Sequence, residues 1–115
     1  MKLNIREVTG QDAITTEDGQ TVFDAIKPEL DSHRTVELDF EGVEVFASPF
    51  FNAAIGQLLS DFRREYLREH LQIMNLEEMG SDLMARVIAN SERYYSSPNY
   101  REAQMQVLDE MAKEA

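Results

Sequence analysis

Asp39 closes an alternating stretch, Thr35 to Phe40, and a short loop then leads to Ser48 and Pro49, which open an apolar run of helical spacing. A strand, a short loop and a helix N-terminus in that order form half of a βαβ unit, and in open α/β sheets ligands and partners tend to meet the carboxyl ends of the strands, where this carboxylate and this hydroxyl lie. Each residue also has a simpler reading. Ser48 can be a helix N-cap, worth about 1 kcal/mol by satisfying one amide, and Asp39 can accept amides from the loop that follows it. Asp61, Glu65 and Glu69 recur at spacings of four, the pattern of a carboxylate-rich cation site. Arg63, Arg64 and Arg68 interleave with them, so a solvated face laced with ion pairs explains them better. His33 and His70 show no metal-ligand spacing. Without cysteine, a glycine-rich phosphate loop or a G-x-S-x-G elbow, the chain reads as non-enzymatic, with no cofactor and no metal.

Composition narrows the partners. The 115 residues are 43% hydrophobic and 29% charged, enough for one domain. Twenty-two acidic residues against eleven basic ones give a net charge of -11, which repels phosphate backbones and anionic membranes. No run approaches the roughly 20 apolar residues that span a bilayer, and MKLNIREV is too charged for a signal peptide. Nucleic acid and membrane are therefore unexpected partners, and a cytoplasmic location is expected.

Short strands alternate with helices along the chain. Leu3, Ile5 and Val8 suggest a strand from about Lys2 to Val8, Ala13 to Thr15 a second short one, and Val22, Ile26 and Leu30 a helix over Asp18 to Asp31 that Pro28 should kink or shorten. Val36, Leu38 and Phe40 alternate with Glu37 and Asp39, the period of a strand with one apolar face. The stripe Phe51, Ile55, Leu58, Leu59, Phe62 and Tyr66 predicts one long helix, in which Gly56 implies close approach to the sheet. Leu71 to Leu76 reads as a strand. Asn75 and Glu78 suit a capping box for a helix from about Leu76 to Tyr95, with Gly80 able to delay its start to Ser81 and with Met79, Leu83, Val87, Ile88, Tyr94 and Tyr95 facing inward. Ser97 and Pro98 should begin a last helix, Asn99 to Lys113, whose weak apolar stripe is Leu108 and Met111.

These elements imply an α/β fold, a small mixed or parallel sheet of three to four strands with packed helices. Residues 1–96 would form the main body and 97–115 a C-terminal helical extension of the same domain. The segment Val36-Glu37-Leu38-Asp39-Phe40-Glu41-Gly42-Val43, followed by Ser48-Pro49-Phe50-Phe51 and Gly56, resembles the STAS-like domain family, uncharacterised bacterial proteins related to STAS domains and anti-sigma factor antagonists. The resemblance extends through Leu71 to Tyr95. It implies a regulatory protein-binding module that docks on a histidine-kinase-like ATPase or another anti-sigma regulator. In antagonists of that type the kinase phosphorylates a serine or threonine where the helix after the central strand begins, and the added charge disrupts the interface. The usual motif is Asp-Ser-Ser/Thr-Gly. Here Ala47-Ser48-Pro49-Phe50 stands in its place, so proline occupies the acceptor position and only Ser48 offers a hydroxyl.

The expected partner surface comprises Asp39, Glu44, Ser48, Pro49 and Asn52, with Ser48 as the sole phosphorylation candidate. A small-ligand or nucleotide-binding sensor using the same strand ends is the alternative. Tyr94, Tyr95 and Tyr100 are a further aromatic cluster suited to an interface, and a homodimer through the C-terminal helix is a third arrangement.

Overall fold

The computed structural model describes residues 1–96. The last expected helix, Asn99 to Lys113, and Tyr100 lie outside the described residues. In chain order the elements are β1 (Lys2–Asn4), α1 (Ile5–Thr9), β2 (Asp12–Ala13), α2 (Thr16–Asp31), β3 (Val36–Asp39), β4 (Val45–Phe46), α3 (Ser48–Ala54), a 3₁₀ segment (Gly56–Ser60), α4 (Arg64–His70), β5 (Leu71–Met74) and α5 (Glu78–Ser96). All strand pairing among the described residues is parallel. The main sheet has the order β1-β3-β5, and β2 pairs with β4 in a separate two-stranded ribbon.

β3 occupies the centre because both of its faces have a use. Val36, Leu38 and Phe40 are at most 1% exposed and join one apolar cluster with Val22, Ile26 and Leu30 of α2, Phe50 and Phe51 of α3, and Val87 of α5. The register places Leu3 beside Leu38, Leu71 beside Val36 and Ile73 beside Leu38, so the neighbouring strands extend the same apolar face. The opposite face carries Lys2, Asn4, Glu37 and Gln72.

Several expected boundaries move, each for a physical reason. The first strand stops at Asn4 and Ile5–Thr9 is helical, because Ile5 and Val8 serve the core at i, i+3 spacing and Gly10, at φ 71°, closes the turn. α2 starts two residues earlier than expected: the Thr15 hydroxyl accepts the Asp18 N–H at 3.1 Å. Pro28 does not shorten it, for Pro28 is exposed and water can take the carbonyl left without an amide partner. The long helix from Pro49 to Tyr66 is three pieces, α3, the 3₁₀ segment and the start of α4. Its stripe is still largely buried, so core packing outlasts helical geometry. Gly56 is tight against Ser91 and Val87 of α5, not against the sheet.

α5 begins at Glu78, ahead of Ser81, and Asn75 stands outside it at φ 57°. Gly80 is buried against Leu76 and Phe46, and the inward stripe continues through Leu83, Met84, Val87 and Ile88. That phase turns Met79 outward to 76% exposure, and Tyr94 is 54% exposed, so neither faces the core as expected.

α2 and α3 cross at Gly19. A Cβ built there would lie 2.4 Å from the Phe50 carbonyl oxygen and 2.8 Å from the Ala53 Cβ. Backbone cannot yield as a flexible side chain does, so Gly19→Ala should lose about 1–3 kcal/mol of stability through overpacking, although alanine is the better helix former. Urea unfolding of the two proteins, compared at equal m-value, checks this.

Candidate functional site

The carboxyl ends of β1, β3 and β5 lie side by side, and Asp39 is the buried charge among them at 6% exposure. Its Oδ1 accepts the Glu41 N–H at 3.0 Å and the Asn75 side-chain amide at 2.9 Å. Its Oδ2 lies 3.7 Å from the Lys2 ammonium. Asn75 therefore spends its amide on the end of β3 and leaves the capping-box role expected of it. The Asn75 amide, then the Glu41 N–H and the Lys2 charge, hold the Asp39 carboxyl below its ordinary value against the opposing effect of desolvation. The strand-end loop is further shaped by Gly42, whose φ of 83° suits glycine and whose Cα lies against the Arg6 side chain.

An open hollow of about 450 Å³ adjoins this carboxylate, lined by Asn4, Arg6, Glu7, Asp39 and Glu41. Three carboxylates face one guanidinium there. A nucleotide's phosphates would meet like charge, which weighs against the sensor reading at these strand ends.

Glu44, Ser48 and Pro49 lie at a different corner. β4 is anchored by Phe46, which stacks on Phe51 at 6.0 Å between centroids and lies 6.2 Å from Phe40. Alternation then turns Val45 outward to 45% exposure. Backbone bonds from Glu44 and Val45 to the Gln11 carbonyl, and from Ala47 to the Ala13 carbonyl, fasten this ribbon to β2 and bring Ile14, 38% exposed, to the same area. α3 starts with Ser48 at its first position and Ala47 at the N-cap, and no side chain caps it. The expected capping hydrogen bond of Ser48 is thus absent: the helix begins one residue early, which leaves the hydroxyl exposed. Glu44, Pro49 and Asn52 are exposed as well. Asn52 looks onto another hollow, of about 320 Å³, which it shares with Asn90, Ser91 and Tyr94 of α5. Asp39 and Asn52 thus line separate hollows, the first with Asn4, Arg6, Glu7 and Glu41 and the second with residues of α5.

The acidic and basic residues of α4 and the segment before it are also sorted differently from the sequence expectation. Asp61 pairs with Lys27 of α2 at 3.5 Å, and no ion pair joins Arg63, Arg64 or Arg68 to a described residue. Sequence reasoning also missed that Tyr66 gathers both histidines. Its ring stacks on His70 at 4.1 Å between centroids, and its hydroxyl donates to the Leu30 carbonyl and lies 3.0 Å from His33 Nδ1. Tyr66 and His70 are one helical turn apart on α4, a local spacing, but His33 lies in the turn after α2, 33 residues from Tyr66, and no local spacing could show its place. Among the described residues no group of three or more histidines and carboxylates is placed to hold a metal ion, and no helix is long and apolar enough to cross a membrane.

The family model of a STAS-like domain of unknown function matches residues 18–81. No curated protein and no solved structure matches the chain. The matched span runs from α2 to the first turns of α5, and so contains β3, the β4–α3 corner and the Asp39–Asn75 link.

Asp39 also makes a pH prediction. Because its folded value lies below the ordinary 3.8, its stabilising contribution is complete above that pH and is lost as pH falls through the folded value. Asp39→Asn should lower the melting temperature by several degrees at pH 7, and the gap from wild type should narrow as pH is taken below 3.8. Thermal unfolding followed by circular dichroism across that range checks it; a gap that stays constant would assign the effect to shape and not to charge.

Proposed function

The chain belongs to the family of STAS-like domains of unknown function, and on that premise we propose that it is a non-enzymatic, cytoplasmic regulatory module that binds another protein through its β4–α3 corner. The observation that carries this reading is the outward side of that corner. Val45 and Ile14 are apolar yet 45% and 38% exposed, and Glu44, Ser48 and Pro49 surround them with exposed polar or rigid groups. An apolar centre with a polar rim is the usual anatomy of a protein interface. Phe46 holds the corner rigid from beneath, which lowers the entropy cost of docking.

The partner class that suits the family resemblance is a histidine-kinase-like ATPase or an anti-sigma regulator. Switching by phosphate at the usual acceptor position is closed to this chain because Pro49 has no hydroxyl. Contact at the corner is then controlled by the partner's own state, and Ser48 acts as part of the contacted surface.

Tagged full-length protein recovered from its native host tests this reading. Wild type should bring down an ATPase of that class, and Val45→Arg, which places a charge at the centre of the apolar patch, should lose it while keeping the melting temperature of the wild type. Failure to recover any such ATPase with wild type, or equal recovery with Val45→Arg, would overturn the assignment.

A further inference from the structure

We propose that the groove between α4, β5 and α5 binds a small organic anion, a carboxylate with a short alkyl or aryl tail. The groove has a volume of about 190 Å³, and its apolar walls include Leu67 of α4, Leu71 and Ile73 of β5, and Met84 and Ile88 of α5. An apolar cavity of about 150 Å³ already admits benzene, so the space suits a tail of that size or a short chain. It exists because β5 is an edge strand. Leu71 and Ile73 project from the same face as the buried Val36 and Leu38, but with no strand beyond them among the described residues they remain half-buried.

Charge names the head group. Arg64 and Arg68, one helical turn apart, complete the lining of the groove and are exposed. No hydrogen bond or ion pair joins either side chain to a described residue, in a chain where carboxylates outnumber basic groups by twenty-two to eleven. Two guanidinium forks without acidic partners beside an apolar floor are complementary to a carboxylate and repel an amine. An exposed guanidinium–carboxylate pair is weak by itself because water screens it. The tail must therefore supply the affinity, and the arginines select the head. This groove is separate from the β4–α3 corner, and its assignment stands or falls independently of the protein partner.

Titration of the ¹⁵N-labelled full-length protein with octanoate, followed by amide chemical shifts, tests the proposal, with octylamine and acetate as controls for head and tail. Octanoate should give saturable shifts centred on Leu67, Ile73, Met84 and Ile88, and neither control should do so. Arg64→Gln with Arg68→Gln should weaken octanoate binding about three- to tenfold with an unchanged urea midpoint, since both side chains are exposed. The proposal is overturned if octanoate gives no saturable shift, if octylamine acts equally, or if the double variant binds as wild type does. It is likewise overturned if these amides shift with protein concentration alone, which would make the groove a contact between copies of the chain.

Discussion

One face of β3 is apolar and wholly buried while the other is polar, with Glu37 half-buried and Asp39 buried at the strand end, and the rest of the structure is arranged around this asymmetry. Val36, Leu38 and Phe40 make the apolar side, on which the core residues of α2, α3 and α5 converge. Burying each such side chain contributes about 1.5–3 kcal/mol, so the helices are committed to that side. Parallel sheets are generally covered on both faces. This one is small enough to leave its second face polar, with Lys2, Asn4 and Gln72 exposed there.

The same asymmetry explains why the most chemically suggestive residue is a structural one. Asp39 lies on the polar face at the strand end, where it is buried but fully engaged by the Glu41 amide, Asn75 and Lys2. It joins the end of β3 to the turn after β5, which start 36 residues apart in sequence. Through the Glu41 bond it also fixes how the chain leaves β3 toward Gly42 and β4. The β4–α3 corner is thus set from behind by two devices: a buried carboxylate that directs the loop and the Phe46 ring that seats β4.

Much of the fold was legible wherever one period dominated. The alternation in Val36 to Phe40 and the four-residue spacing in Val22, Ile26 and Leu30 each admit one reading, and both elements are present. Leu3, Ile5 and Val8 satisfy a strand period at one end and a helix period at the other, so the transition at Ile5 was hidden. The run from Phe51 to Tyr66 misled for the opposite reason. A 3₁₀ segment and a fresh helix keep the same side chains on the core, and only Gly56 hinted at the break. The site was less legible than the fold. Exposure of Val45 follows from Phe46 packing on Phe51, and Asp61 turns to Lys27 of α2 instead of an arginine of its own segment; both are long-range facts with no local signature.

In the proposed function, Asp39 has a structural role and the β4–α3 corner meets the partner. Amide hydrogen exchange of the full-length protein, alone and with the ATPase recovered from its host, separates these roles most directly. The account predicts added protection over residues 44–52 on binding, with amides around Asn4 to Glu7 and Asp39 to Glu41 unchanged. Protection confined to those strand-end amides, with residues 44–52 exchanging as in the free protein, would contradict it.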